Sequence, residues 1–235
     1  ACATTGSRAG PRVVVVGGGY GGATVAKYLN LWSNGRVDVT LVEVNAAFVS
    51  CPLSNLVLGG SKQIADLTVS YDGLRKRGVR VIGATATQID YDRGVVRLST
   101  EQELPFDRLV LSPGVDLLYN EVAGMESAAA QARVLHAWKA GPQTVALRAQ
   151  LEAMRDGGVF AISIPRAPYR CPPGPYERAC QVAWYFKRAK PKSKVLILDG
   201  NEDVTSKKGL FMKAWNEDYK GIVEYRPNYV LTGVD

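Results

Sequence analysis

The sequence is poor in the residues that several common classes of protein require. Its 235 residues contain one histidine and four cysteines, Cys2, Cys51, Cys171 and Cys180, with no CxxC pair. Four widely spaced cysteines are too few for a disulfide-stapled scaffold, and the missing CxxC pairs argue against a zinc site, so we expect no metal ligands. No apolar run approaches the roughly 20 residues of a membrane helix, and we expect no membrane span. His136 lies in the connecting stretch "LHAWKAG", where we expect a structural role.

The composition is that of a folded chain. Of its 235 residues, 46% are hydrophobic, and they are accompanied by 24 glycines and 12 prolines. A chain of this length buries a full core and holds one or two globular domains. It begins at Ala1 with the small and polar stretch "ACATTGSRAG". We expect residues 1–10 to be the processed N-terminal segment of an exported protein, although a cloning boundary would give the same pattern.

Positive charge is concentrated in the second half of the chain. The formal net charge is +7, and between Phe160 and Lys220 there are 12 Lys and Arg against 6 Asp and Glu. Such a surface favours an anionic substrate or an acidic partner protein, or it is an ordinary solvated face. The basic residues are scattered and join no aromatic platform or known reading motif, so we expect no nucleic-acid binding.

A glycine-rich turn follows the first apolar run. The stretch "RVVVVGGGYGGATVAKYL" has four valines, then Gly17, Gly19 and Gly22 in G-x-G-x-x-G spacing, then a helical pattern. The first glycine permits a tight turn, the second lets the backbone approach a diphosphate, and the third lets the helix pack on the strand. The next apolar run, "VDVTLVEVN", holds Glu43 about 20 residues further on, where a carboxylate binds ribose hydroxyls. The sequence therefore predicts a dinucleotide-binding domain.

A later segment indicates that the dinucleotide is FAD. The stretch "TATQIDYDRGVVRLST" predicts a β-meander with a turn at residues 92–94, and "LPFDRLVLSPG" follows it. An aromatic-Asp pair that leads into an apolar strand and a small-residue turn resembles the second FAD signature of flavoproteins with two dinucleotide domains. This resemblance implies that Ser112, Pro113 and Gly114 lie against the flavin nucleotide. We assign residues 11–118 to the N-terminal part of an FAD-binding domain and residues 119–142 to a connection.

The same order of elements then repeats. The stretch "QTVALRAQLEAMRDGG" predicts a helix with an apolar stripe at Val145, Leu147, Leu151 and Met154, and "VFAISI" predicts a strand. A helix in "PYERACQVAWYFKRAK", with a proline in its first turn, and a strand in "KVLILD", ending at Asp199, complete a second βαβ unit.

The second phosphate loop lacks its glycines. It reads "PRAPYRCPPG", in which prolines remove N–H donors and bulky side chains block close approach, so a diphosphate is not held there. We therefore expect residues 143–235 to form a second Rossmann-like domain that is incomplete and has lost its NAD site. The fold expected for the chain is α/β, with two Rossmann-like dinucleotide-binding domains of the glutathione-reductase type.

Two cysteines lie where redox chemistry is expected. Cys171 stands just ahead of a helix N-terminus and beside Arg170, and both the helix dipole and the cation favour its thiolate. The alternative is a small buried hydrophobe. Cys51, in "NAAFVSCPLSNLVLGG", has three interpretations: buried packing, a redox thiol or covalent attachment to a flavin. Spacing alone does not choose among them.

Five motifs together resemble one family of flavoproteins. The stretches "VVVVGGGYGGATVAKYL", "SCPLSNLVLGG", "YDGLR", "HAWKAGPQT" and "RCPPGPYERA" closely resemble the flavoprotein subunit of flavocytochrome c sulfide dehydrogenase, and the likeness runs through essentially the whole chain. The resemblance implies that Cys51 bears FAD through a thioether to the flavin 8α-methyl group. It also implies that Cys171 is half of a redox-active disulfide that faces sulfide.

This resemblance implies a function. Hydrosulfide would be oxidised at Cys171 to zero-valent or polysulfide sulfur, and the reduced flavin would pass electrons to haem c in a cytochrome subunit in the periplasm. Glu177, six residues past Cys171, is a candidate proton acceptor or donor, or an ordinary first-turn acid. Cys180 falls a turn into the helix, so we expect it to be a buried, unreactive thiol, with the partner of Cys171 lying outside this sequence.

Family chains continue well past the matched region, so we expect these 235 residues to be part of a longer protein. Two alternatives belong to other classes. One is an enzyme like sulfide:quinone oxidoreductase, which would use a quinone at a membrane surface in place of the cytochrome. The other is a non-catalytic flavin-binding module.

Overall fold

Short runs of valine, leucine and isoleucine form the centres of two parallel sheets. The computed structural model describes residues 10–235, so Cys2 and nearly all of the expected N-terminal segment lie outside the described residues. Contacts group the described chain into two units, one of residues 10–48 and 68–116 and one of residues 49–67 and 117–235.

The helices and strands alternate along most of the chain. In chain order they are β1 (Arg12–Val16), α1 (Tyr20–Trp32), β2 (Asp38–Val42), β3 (Ala47–Val49), α2 (Ser54–Gly59), β4 (Thr68–Ser70), α3 (Asp72–Arg75), β5 (Arg80–Ile82), β6 (Ala86–Asp90), β7 (Val95–Leu98), β8 (Glu103–Pro105), β9 (Arg108–Leu111), α4 (Ala128–Arg133), α5 (Pro142–Ala153), β10 (Val159–Ile164), α6 (Gly174–Ala189), β11 (Lys194–Asp199), α7 (Lys208–Asn216) and β12 (Val223–Arg226). Two 3₁₀ turns lie at Ile64–Leu67 and Tyr119–Glu121.

The first unit is built on a parallel sheet with the strand order β5–β2–β1–β9. Val15 pairs with Leu41 on one side and with Val110 on the other, and Val13, Val14 and Val15 are buried. A strand buried on both faces needs a continuous apolar run, which explains why the valines stand together rather than alternating with polar residues. The predicted dinucleotide-binding βαβ unit is confirmed.

An antiparallel meander completes the first unit. Strands β6, β7 and β8 pair in sequence, and the first turn contains Gly94 with a φ of +62°. This confirms the meander predicted from the sequence. Val96, Leu98 and Leu104 point into a core that also holds Val14 from β1, so the meander and the parallel sheet share apolar contacts.

The second unit repeats the parallel pattern. Strands β10, β11 and β12 lie side by side in that order, joined by α6 and α7. One face of α6 is fully buried, and its core residues are Tyr176, Ala179, Val182, Ala183 and Phe186. The second Rossmann-like domain is confirmed, and its three strands correspond to one βαβαβ half of such a sheet. Within residues 10–235, no helix is both long enough and apolar enough to cross a membrane.

The apolar stripe predicted for α5 is partly wrong. Leu147 and Leu151 are buried as expected, but Val145 is 46% exposed and Thr144 is fully buried in its place. Thr144 accepts a hydrogen bond from Gly141 N at 3.2 Å through its hydroxyl, which caps the start of the helix. This polar cap fixes the rotation of the helix and turns the neighbouring valine toward solvent.

Residues 49–67 group with the second unit, although they lie within the span 11–118 that the sequence predicts as part of the FAD-binding domain. Helix α2 packs against α5 and α6. Arg148 donates to the carbonyl of Leu58 at 2.8 Å, and Asn55 donates to the carbonyl of Gly174 at 3.3 Å. These hydrogen bonds to backbone carbonyls fasten the segment to the helices of the second unit.

Candidate functional site

The turn from β1 into α1 is tight because two glycines have no room for a side chain. Gly17 has a φ of +97°, and a Cβ atom there would lie 2.0 Å from the carbonyl oxygen of Ser112. A Cβ at Gly22 would lie 1.8 Å from the carbonyl oxygen of Gly17 and 3.2 Å from Val15 Cγ1. The two glycines therefore bring the helix and the neighbouring strand into backbone contact.

Gly19 differs from these two because its face is open. Among residues 10–235, no heavy atom beyond the chain neighbours lies within 4 Å of a Cβ built at Gly19, which is the N-cap of α1. The first N–H groups of a helix lack partners within the helix and attract anions. The start of α1 therefore offers backbone donors and free space on the same side, as a diphosphate requires.

A carboxylate lies directly behind this turn. Glu43 follows β2 and accepts hydrogen bonds from Gly18 N at 2.7 Å and from Asn45 N at 2.8 Å. Tyr71, which is buried, donates its hydroxyl to the carbonyl of Gly18 at 2.9 Å. Burial, and then the charge of Glu43, raises the pKa of Tyr71 to about 12, so it remains a donor. Glu43 and Tyr71 therefore hold the turn through hydrogen bonds to the backbone of Gly18.

The segment after β9 reaches the same turn. Ser112 donates its N–H to the carbonyl of Val16 at 2.8 Å and lies beneath Gly17. Pro113 and Gly114 are exposed, and Gly114 has a φ of +80°. Ligands of open parallel sheets bind at the carboxyl ends of the strands, which is where these residues stand. The residues present therefore fit an FAD nucleotide, with an open cradle at Gly19 and a carboxylate at the end of β2.

In the second unit, side chains occupy the space beside the corresponding glycine at the start of α6. A Cβ at Gly174 would lie 2.5 Å from Trp138 Cη2 and 3.2 Å from Cys171 Sγ. The indole ring and the thiol thus occupy the face that is open at Gly19. A diphosphate has no space at this helix start, in agreement with the proline-rich loop that precedes it.

The second unit's carboxylate is also withdrawn from solvent. Asp199, at the end of β11, is fully buried and accepts hydrogen bonds from Tyr176 at 2.7 Å, Tyr225 at 3.2 Å and Asn201 Nδ2 at 2.7 Å. Burial raises the pKa of both tyrosines, which keeps them as donors. Both features that would hold NAD are therefore occupied by the chain's own side chains.

Cys171 is exposed and stands in an unusual backbone conformation. Its φ is +58°, in the left-handed region that residues other than glycine rarely adopt. Its carbonyl accepts a hydrogen bond from Gly174 N at 2.9 Å, and Pro172 follows it. The neighbouring Arg170 is exposed as well. The loop presents the thiol three residues ahead of the first residue of α6.

Cys51 lies near the same helix start. Its Sγ donates to the carbonyl of Trp138 at 3.0 Å, and the side chain is half-buried. The guanidinium of Arg178 stacks on the Trp138 ring at 4.9 Å. The second unit thus brings the two predicted cysteines to opposite ends of one tryptophan, with Cys51 at its carbonyl and Cys171 beside its indole.

A cavity of about 540 Å³ adjoins this group of residues. Its walls include Trp138, Pro175 and Leu198, and its charged lining consists of Arg170 and Arg178, with no acidic residue among the lining side chains. A cavity with this charge pattern favours an anion over a cation.

The remaining predicted residues are Glu177, His136 and Cys180. Glu177 is exposed in the first turn of α6, and the Nδ1 atom of His136 accepts the N–H of Trp138 at 2.6 Å. Cys180 is a free thiol, half-buried against the core of the second unit, and burial raises its pKa. Cys51 and Cys171 are free thiols too.

Sequence reasoning missed several residues of these groups. Tyr71 lies in the quoted "YDGLR" and Trp138 in "HAWKAGPQT", but nothing in either stretch marks the contact that the residue makes. Arg178 and Asn55 gave no signal at all, since the hydrogen bond between them spans 123 positions and the other hydrogen bonds of Arg178 span more than forty.

Two known families match adjacent parts of the chain. Residues 11–146 match the pyridine nucleotide-disulphide oxidoreductases. Residues 144–235 match the family described as sulfide dehydrogenase (flavocytochrome c) flavoprotein chain, central. The first of these families implies FAD as the cofactor, in agreement with the open turn at Gly19.

Individual relatives agree with these matches. The sulfide dehydrogenase (flavocytochrome c) flavoprotein chain of Chlorobaculum thiosulfatiphilum is 61% identical over 46 residues, which are 20% of this chain and 94% of that sequence. The mitochondrial sulfide:quinone oxidoreductase of Mus musculus is 23% identical over 187 residues, or 79% of this chain and 41% of that one. The X-ray structure of the sulfide:quinone oxidoreductase from Aquifex aeolicus has a TM-score of 0.79 at 21% identity and covers 96% of this chain and 52% of that chain.

This chain thus spans 41% to 52% of the length of these two quinone-linked proteins, and at this identity the likeness to the solved structure shows the fold. The resemblance identified in the sequence is confirmed by both family matches. The first match covers more than half of the chain, and the chain covers 94% of the Chlorobaculum thiosulfatiphilum relative at 61% identity. The chain therefore belongs to the pyridine nucleotide-disulphide oxidoreductase family, in its flavoprotein sulfide dehydrogenase branch.

Proposed function

We propose that this chain oxidises hydrosulfide to zero-valent or polysulfide sulfur at Cys171, using FAD carried as a thioether on Cys51, and that its electrons pass to a c-type cytochrome subunit in the periplasm. The observation that carries the proposal is the start of α6, where Trp138 and Cys171 fill the place of a nicotinamide dinucleotide. With that place taken, electrons must come from a reductant other than NADH.

The exposed thiol suits a small nucleophilic substrate. Hydrosulfide would attack a disulfide between Cys171 and a cysteine outside this sequence, so that one S–S bond forms, another breaks and the Cys171 thiolate is released. The bond between the two cysteines would then re-form as the outer sulfur of the persulfide leaves, and the two electrons released would pass to the flavin acceptor. Per turnover, one hydrosulfide loses one proton and two electrons and leaves as zero-valent sulfur. Glu177, exposed in the first turn of α6, is the candidate acceptor for that proton.

Bound FAD would supply an acceptor that takes two electrons together and releases them singly to haem. On the protein side, Gly17, Gly19 and Gly22 would hold the diphosphate, Glu43 the ribose, and Ser112, Pro113 and Gly114 the flavin nucleotide. The two arginines at the cavity and the basic second half favour approach of an anion.

A second candidate is supported by the likeness to sulfide:quinone oxidoreductases, which extends over 96% of this chain. It keeps the same sulfide chemistry and replaces the cytochrome with a quinone. The non-catalytic module is the remaining alternative.

The reductant and the acceptor are tested separately. Under anaerobic conditions, hydrosulfide should remove the visible absorbance of the oxidised flavin within the mixing time, whereas NADH and NADPH should not. Rapid reduction by NADH would contradict the closed start of α6, and no reduction by hydrosulfide would favour the non-catalytic module. The reduced protein is then mixed with a c-type cytochrome or with a soluble quinone, and faster reoxidation by the quinone would favour the second candidate.

A further inference from the structure

Arg178 is a buried cation with an unusual set of partners. It is only 6% exposed. Its Nε donates to Asn55 Oδ1 at 3.1 Å, its Nη1 to the carbonyl of His136 at 2.5 Å and its Nη2 to the carbonyl of Ala137 at 2.8 Å. The guanidinium also stacks on the ring of Trp138. Arg178 therefore uses both edges of its planar group and one face.

These contacts tie together the segments that carry the two redox cysteines. Cys51 donates to the carbonyl of Trp138, the residue that follows the two carbonyls held by the guanidinium. Asn55, on the first turn after Cys51, donates in turn to the carbonyl of Gly174. Gly174 donates to the carbonyl of Cys171. One side chain thus connects the Cys51 segment, the tryptophan and the Cys171 loop.

Within the part of the chain that the structure describes, no carboxylate forms an ion pair with Arg178. All three hydrogen-bond acceptors are neutral oxygens. Burial lowers its pKa to about 10, and the nearby Cys51 works in the opposite direction. A buried charge without a counterion is costly and favours an anion next to it. Within the described residues, Arg178 is therefore held by hydrogen bonds to Asn55 and to two backbone carbonyls rather than by an ion pair.

We propose that Arg178 is the positioning residue for flavin attachment at Cys51: its three hydrogen bonds fix the backbone before Trp138, and with it the Trp138 carbonyl that orients the thiol. The inference rests on the proposed function, since it concerns the thioether at Cys51. It goes further in assigning control of attachment to a residue of α6 that does not itself react.

The covalent step balances without another cofactor. Cys51 Sγ forms a bond to the 8α-methyl carbon, which loses one proton. That proton, the thiol proton and two electrons are taken up by the flavin ring. Dioxygen in the aerobic assay then removes the two electrons and two protons as hydrogen peroxide. Arg178 assists the first bond by holding the sulfur in place as it becomes nucleophilic.

The test compares two substitutions with a matched control. Arg178→Met removes the charge and the hydrogen bonds but keeps an unbranched side chain as far as the Nε position, and Arg178→Lys keeps the charge but loses the planar fork. Arg188→Met is the control, because Arg188 lies on the same helix, is exposed and stacks on Trp184 at 4.4 Å. Each flavin-free full chain is mixed with FAD in air, and intact mass over time gives the rate of attachment.

Arg178→Met should slow attachment by at least about tenfold, Arg178→Lys by a smaller factor, and the control should match the unsubstituted protein. A second readout needs no flavin. Alkylation of Cys51, followed by peptide mass, should be about threefold faster in Arg178→Met, because the thiol loses its fixed acceptor. Thermal unfolding of each chain shows whether the fold is kept.

Attachment and alkylation at unsubstituted rates in a folded Arg178→Met would overturn the inference. If that variant does not fold, Arg178→Lys decides: unsubstituted rates of attachment and alkylation overturn the inference, and a slower attachment or a faster alkylation supports it. Absence of covalent flavin in the unsubstituted protein would contradict the proposed thioether itself. The alkylation rates of Cys51 alone would then decide whether Arg178 positions the thiol.

Discussion

Substitution by alanine should have different effects at two glycines of the β1–α1 turn: it should weaken FAD binding at Gly19 and lower the stability of the fold at Gly22. Gly19 has an extended backbone with a φ of −69°, and in the described part of the chain only its own neighbours lie within 4 Å of the added methyl group. Replacing a glycine N-cap by alanine costs about 1 kcal/mol. For a chain of this size that lowers Tm by about 2–4 °C. The methyl group would, however, stand where the diphosphate approaches, so FAD affinity should fall at least about tenfold.

Gly22→Ala should destabilise the fold instead. The added Cβ would lie 1.8 Å from a backbone oxygen of Gly17, and no side-chain rotation relieves that overlap. Helix α1 must move away from β1, where Ala26 and Val15 are both fully buried. Such overpacking costs about 3 kcal/mol or more. The expected fall in Tm is about 6–12 °C.

The assay measures both quantities on the same preparations. Thermal unfolding of the flavin-free chains gives Tm, and quenching of FAD fluorescence on titration gives Kd. Gly19→Ala should weaken FAD binding with a small fall in Tm. Gly22→Ala should show the larger fall in Tm. The reasoning is refuted if Gly19→Ala binds FAD as tightly as the unsubstituted protein, or if Gly22→Ala unfolds at the unsubstituted temperature.

Further predictions concern the cysteines and the second nucleotide site. Acid precipitation should leave the yellow chromophore on the protein, and the proteolytic peptide that contains Cys51 should carry the flavin mass; colour released into the supernatant would reject attachment. At about pH 8, Cys180 should be alkylated at least about tenfold more slowly than Cys171, because burial raises its pKa and keeps it protonated, and the gap should narrow as the pH rises. Equal rates at that pH would contradict this. Asp199→Asn should leave NADH unable to reduce the flavin, since Trp138 still fills the start of α6; a gain of NADH activity would contradict that role.

The dinucleotide turn could be predicted because its chemistry is local. Gly17 and Gly22 must be glycines on account of atoms supplied by the turn, by β1 and by the end of the adjoining β9, and the spacing of three residues encodes those needs. The same holds for the buried valine run and for the proline-rich second loop. In each case a short stretch determines its own backbone.

The group around Trp138 could not be predicted because its contacts are remote. The hydrogen bond from Cys51 spans 87 positions, and the one from Arg178 to Asn55 spans 123. Nothing in the stretch "LHAWKAG" indicates that its tryptophan closes a helix start. The exposure of Val145 was missed for a related reason, since a polar cap at Thr144, rather than hydrophobicity, sets the rotation of α5.

The most direct test of the account is an anaerobic titration with hydrosulfide of the unsubstituted protein, Cys171→Ser and Cys180→Ser, each with its flavin attached. We expect the unsubstituted protein and Cys180→Ser to lose the oxidised flavin absorbance at similar rates, and Cys171→Ser to keep it while retaining covalent flavin. Reduction of Cys171→Ser at the unsubstituted rate would contradict the claim that sulfide reacts at Cys171.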